Sequence, residues 1–146
     1  MITSQLIFYQ IADHMILFVA QSVQVTMRAF MAENLRHDLK TLALFISIYC
    51  RYRHLGAEKQ SVRLKTHDVI DIAGREIHLC QNCTKLLTHA YVKRSHCPMS
   101  PKPQCKHCPS HCYAPHYREQ IRKVMRYSGK KMLLGGRLDY LFHLLF

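Results

Sequence analysis

The chain has 146 residues, enough for one compact domain and too few for two ordinary ones. Lys and Arg number 21 against 9 acidic residues, a net charge of +12, which excludes an acidic surface and favours polyanionic partners such as nucleic acid or an anionic membrane. Seven cysteines without the basic n-region and cleavage site of a secretory signal, one of them necessarily unpaired, favour an intracellular protein with metal-bound or free thiols over a disulfide scaffold.

Residues 1–30 carry only Asp13 and Arg28 as charged side chains, within an apolar, Gln-rich run from Leu6 to Met27. A membrane span needs about 20 predominantly apolar residues. Gln10, Asp13, His14, Gln21, Ser22 and Gln24 interrupt this run and speak against one. An amphipathic helix is one alternative. The other is that Met31, which opens MAENLRHDLKTL, is the natural start and that 1–30 is an upstream extension. We adopt the second, with 31–146 as a single Cys-rich metal-binding domain and no membrane association unless residues 6–27 are made and insert.

Leu35, Leu39, Leu42, Phe45, Ile46 and Tyr49 recur at steps of three and four, which predicts a helix over 33–53. Asn34 is its expected N-cap, and Asp38 sits where it would complement the macrodipole. Gly56 to Gly74 is polar and mixed, and Ser61 to Ile72 alternates weakly, as a loop or short hairpin would. A second helix is expected over 82–94.

From Ser95 to Pro115 there are five prolines, four cysteines and three histidines. Each Pro lacks an amide donor and restricts the residue before it, so this stretch is a loop that needs a cross-link. Pro115 is placed to open a third helix over 115–128, with Gly129 as its stop. Tyr117, Ile121, Val124, Met125 and Ser128 form one face; Arg118, Arg122 and Arg126 form a stripe on another, and Glu119 with Lys123 makes an i, i+4 pair. Leu138, Leu141, Phe142 and Leu145 suggest a short final helix over 137–145. The expected fold is mainly α, a small helical domain with Cys-rich, metal-braced loops, in which Phe45, Tyr49 and Tyr91 pack as core.

The thiols fall in the order Cys50, Cys80-x2-Cys83, Cys97, Cys105-x2-Cys108-x3-Cys112. A C-x2-C pair brings two sulfurs to one side of a tight turn, at a separation suited to a tetrahedral ion. The two pairs can therefore form one four-sulfur site. Alternatively Cys50 and His54, spaced i, i+4, join Cys80 and Cys83. Eight candidates (Cys50, His54, Cys80, Cys83, Cys97, Cys105, Cys108, Cys112) suit two four-coordinate zinc ions. Full thiolate ligation of two such ions would lower the net charge to about +9.

A 4Fe-4S cluster on Cys97, Cys105, Cys108 and Cys112 is the alternative to zinc; the Cys-Pro steps at 97 and 108 are loosely similar to ferredoxin loops, but no ferredoxin spacing is reproduced. The mixed ligand set favours zinc. His107 and His111 lie inside the loop and can substitute for a thiol. Arg51, Arg53, Lys93 and Arg94 flank the sites, where they can hydrogen-bond thiolates or meet an anion.

The stretches HDLKTLALFISIYCRYRH, LCQNCTKLLTHAYVKRSHCP and KPQCKHCPSHCYAPHYREQIRKVMRYSGKKML resemble the bacterial nitrous oxide-stimulated promoter family from about Leu35 to Leu134. Cysteine spacing and the MRYSG run match together, family members usually begin close to the position of Met31, and Gly56–Gly74 is longer than the family pattern. The resemblance implies a cytoplasmic protein expressed under nitrogen-oxide stress and leaves its biochemical task open. No acid–base pair, nucleophile triad, phosphate loop or dinucleotide fingerprint is present, so a metal-binding, non-enzymatic role is expected. The other reading is nucleic-acid binding through Arg118, Arg122, Arg126, Lys130 and Lys131, with the metal as a structural brace.

Overall fold

The computed structural model describes residues 3–65, 67–99, 103 and 105–136. The expected helix at 137–145 lies outside them. In chain order the elements are α1 (Thr3–Arg53), β1 (Gln60–Ser61), α2 (Val69–Ala73), β2 (His78–Leu79), α3 (Gln81–Ser95), a single 3-10 turn (Cys105–His107) and α4 (Pro115–Leu134). The protein is mainly α, as its periodicity predicts.

Two compact units divide the chain, Met1–Leu35 and Arg36–Phe146. In the first, Val23, Val25, Phe30 and Met31 are exposed. Among the described residues, no helix is long and apolar enough to cross a membrane.

The second unit is built on apolar positions at helical spacing. Leu39, Leu42, Phe45, Ile46 and Cys50 are buried on α1, Leu86, Leu87, Ala90 and Tyr91 on α3, and Val124, Ser128 and Met132 on α4. At about 25 cal/mol per Å2, this apolar burial is the main favourable contribution to folding. Polar contacts set how the helices register. The Tyr91 hydroxyl donates to the Leu39 carbonyl at 2.9 Å, and the fully buried Ser128 hydroxyl donates to the Phe45 carbonyl at 2.7 Å. Tyr49 meets Tyr127 edge-on at 5.6 Å, and His89 stacks on Tyr117 at 4.2 Å, joining α3 to α4.

Several local expectations are corrected. Asn34 caps nothing, because α1 continues through it: between Thr3 and Arg53 there is no Gly or Pro to stop a helix. Asp38 consequently lies far from a helix end and serves another purpose. Its carboxylate accepts from Arg94, with Nε at 2.7 Å, while Arg94 Nη1 donates to the Pro103 carbonyl at 3.1 Å. That guanidinium ties α1, α3 and the Pro-rich loop together.

Gly129 does not stop α4. It is buried inside the helix, which runs on to Gly135, with Gly136 at φ 78 completing the turn out of it.

The Ser61 to Ile72 stretch is only in part a hairpin. Gln60 pairs with Leu79 and Ser61 with His78 in an antiparallel ladder, but Val69, Ile70 and Ile72 belong to α2. Asp68 overrides their β propensity by accepting from the Ile70 and Asp71 amides at 3.0 Å each, an N-cap worth about 1 kcal/mol. Gly74, at φ 71, closes the short helix by donating to Ile70 at 2.8 Å.

Candidate metal centre

Cys50 arrives at this site on the last turns of α1, four residues after the buried Ile46, and is itself 0% exposed. His54 follows one turn later, beyond the helix proper, with its amide donating to the Cys50 carbonyl at 3.2 Å. Tyr49 stands edge-on to its ring at 5.5 Å and orients the imidazole. The β1–β2 ladder delivers the other side of the site: β2 ends at Leu79, and Cys80 turns the chain as the extended N-cap of α3, placing Cys83 in the first helical turn. Two sulfurs at a helix N-terminus lie where amide N–H groups and the macrodipole favour negative charge.

The Sγ atoms of Cys50, Cys80 and Cys83 and a ring nitrogen of His54 all lie within 4.8 Å of one another. His54 Nδ1 is 3.3 Å from both Cys80 Sγ and Cys83 Sγ, and the Cys80 amide donates to Cys50 Sγ at 3.3 Å. All seven cysteines are free thiols.

Burial pushes the Cys50 and Cys83 thiols up, and for Cys83 the neighbouring Cys50 adds to the rise. Cys80 is also penalised by burial, yet hydrogen bonds from the Cys83 backbone and from the Cys83 and Cys50 side chains bring its thiol below the ordinary value. Three mutually repelling thiols in a buried pocket cannot all ionise alone. A divalent cation reverses that balance, because it replaces repulsion among the thiolates by attraction to a common centre. Three sulfurs and one imidazole nitrogen form a Cys3His set, four donors of the number and kind that hold a tetrahedral metal ion. The residues present fit the metal.

The structure thus groups Cys80 and Cys83 with Cys50 and His54. The alternative that joins them to Cys105 and Cys108 is not formed: among the described residues, no 4.8 Å group includes those two. Cys97, Cys105, Cys108 and Cys112 instead line a cavity of their own, together with Lys93, Arg94, Pro103, His111 and Tyr113. Cys97 and Cys108 are half-buried and Cys105 and Cys112 exposed; Cys108 Sγ donates to the Ser110 carbonyl at 3.0 Å.

The basic stripe of α4 is uneven. Arg122, Arg126 and Lys130 are exposed. Arg118 is half-buried with an unpartnered Nε, and Lys131 sits over the Tyr52 ring at 4.5 Å. Arg53 lies over Tyr127 at 5.7 Å.

Sequence reasoning read Tyr49 only as core and Asp38 only as a helix-end charge. Neither the His54 contact nor the pairing of Asp38 with Arg94 has a spacing signature, since each depends on how the helices dock.

A mainly helical chain that gathers three thiols and an imidazole at the ends of two helices is a small Cys/His protein with a site able to hold a metal ion. Residues 33–146 match the family described as nitrous oxide-stimulated promoter, and the chain belongs to that family. It is similar to the uncharacterized protein YgbA of Escherichia coli (strain K12), with 53% identity over 32 residues. That stretch covers 22% of this chain and 27% of the relative, so the match spans about a quarter of that protein's length. No solved structure matches the chain.

Proposed function

We propose that the protein is a non-enzymatic, cytoplasmic zinc protein of the bacterial response to nitrogen oxides, in which one structural ion joins α1, the β1–β2 ladder and α3. One observation carries this reading: Cys50, His54, Cys80 and Cys83, from segments up to 33 residues apart in sequence, converge within 4.8 Å. The zinc would be held by three thiolates and the His54 imidazole, and a four-coordinate site of this kind leaves no open position for a substrate. Tyr49 orients the imidazole, and the Cys80 amide donates to the Cys50 sulfur. The family description, a promoter stimulated by nitrous oxide, supports the link to nitrogen oxides and concerns expression rather than chemistry.

Mass spectrometry under native conditions, on protein purified without chelators, tests the reading. One zinc per chain is expected at the Cys3His site, with three thiols protected from alkylation until a chelator is added. Fully reactive Cys50, Cys80 and Cys83 in folded, zinc-free protein would remove it.

A second reading is favoured by the exposure of Arg122, Arg126 and Lys130 along α4: contact with nucleic-acid phosphates. Fluorescence anisotropy with a labelled duplex should show affinity falling steeply with salt. The double variant Arg122→Ala/Arg126→Ala should flatten the log–log slope by about two. Salt-independent binding, or none at low salt, rejects this reading.

A further inference from the structure

Four of the seven cysteines have no part in the Cys3His site, and all four face one cavity. They come from three places: Cys97 follows the C-cap of α3, Cys105 opens the 3-10 turn and Cys108 follows it, and Cys112 precedes α4 by three residues. Tyr113, 8% exposed, closes one side of the cavity, and the Arg94 guanidinium lies on its wall. Thiols on a Pro-rich loop have little apolar reason to converge, so their convergence calls for a ligand.

We propose that Cys97, Cys105, Cys108 and Cys112 are the four thiolate ligands of an iron–sulfur cluster of the 4Fe-4S type, at a site separate from the Cys3His centre.

Three features favour a cluster over a second zinc. The first is spacing. Around one zinc, with Zn–S bonds of about 2.3 Å, tetrahedral thiolates stand roughly 3.8 Å apart. The Cys3His atoms meet that requirement within their 4.8 Å circle, while among the described residues no such group of three or more ligand atoms includes any of these four sulfurs. A cubane core interposes an iron between each thiolate and the common centre, so its ligands stand further apart while still facing one cavity.

The second is ligand type. Four sulfurs without nitrogen are the donor set that a 4Fe-4S core takes, in contrast to the mixed set at the other site.

The third is charge. Four thiolates on a core of ordinary oxidation state leave a net charge on the order of −2, and cavity-lining Lys93 supplies positive charge beside it, while Arg94 offers guanidinium N–H groups with its charge largely offset by Asp38. Arg94 is held there by its ion pair with Asp38, while its Nη1 anchors the loop at Pro103.

The two centres would then divide their work by exposure. Cys50, Cys80 and Cys83 are 0–6% exposed and suited to holding the fold, whereas Cys105 and Cys112 are exposed and open to small diffusible reactants.

The full chain, produced with ample iron and purified without oxygen, is the test material. Analysis should find about four iron, four acid-labile sulfide and one zinc per chain, with a brown visible spectrum. Cys105→Ser and Cys112→Ser should each lose most of the iron while keeping the zinc and the helical circular dichroism. Colourless protein with two zinc ions and no iron would overturn the proposal, as would iron retained in both serine variants. Pulsed EPR of the reduced wild-type protein needs no variant: strong nitrogen hyperfine coupling would put an imidazole in place of one of the four thiolates and also overturn it. Zinc content reports separately on the Cys3His site.

Discussion

Replacing Cys83 by serine is expected to release the proposed zinc and unfold most of the Arg36–Phe146 unit. Cys83 is 3% exposed, in the first turn of α3, and its sulfur lies 3.3 Å from His54 Nδ1. Serine removes one of three thiolates and offers a hydroxyl that zinc binds poorly at neutral pH, leaving Cys50, Cys80 and His54 to hold the ion alone. Structural zinc contributes on the order of 10 kcal/mol to folding, which is comparable with the whole 5–15 kcal/mol stability of an ordinary domain. Circular dichroism and bound zinc, measured together, should fall together. Chelation of the wild-type protein should give the same state, and acidification should approach it as protons displace the metal from the thiolates and imidazole. A Cys83→Ser protein that keeps wild-type zinc and melting temperature contradicts the proposal. Cys97→Ser, whose sulfur lies outside the Cys3His group, should keep its zinc.

The second large effect is expected at Tyr91. Its side chain is fully buried on α3, donates to the Leu39 carbonyl of α1 at 2.9 Å, and packs edge-on against His67 at 5.4 Å. Tyr91→Ala should cost about 3–5 kcal/mol through the cavity it leaves. In thermal melts of zinc-loaded protein that corresponds to a fall on the order of 10 °C or more. Tyr91→Phe keeps the ring and should cost only about 1 kcal/mol, the net value of one hydrogen bond. Equal losses for the two variants would mean that the hydroxyl, and not the packing of the ring, holds α1 against α3.

Helix periodicity carried most of the fold in advance. The steps of three and four from Leu35 to Tyr49 placed the buried face of α1, Pro115 opened α4, and the prolines of 95–115 ruled out a continuous helix there, because these are local steric and hydrogen-bonding rules. Boundaries failed where burial outweighed a local stop. Gly129 is a helix terminator by propensity, yet it lies buried in α4 beside Ser128, whose hydroxyl reaches the Phe45 carbonyl. Asn34 is a good cap, but nothing in the preceding residues ends the helix it was expected to begin.

By itself the sequence determined the mainly helical class, the basic charge and the eight candidate ligands, since ligand chemistry is a property of residue type and an i, i+4 or C-x2-C spacing acts within one turn. The tertiary structure alone decided how those ligands are grouped. Cys50 and Cys80 are 30 residues apart, and Asp38 and Arg94 are 56 apart. Whether such groups meet depends on the docking of α1 against α3 and on the β1–β2 ladder that turns Cys80 toward Cys50. Those are packing outcomes summed over the whole core, and no local spacing encodes them.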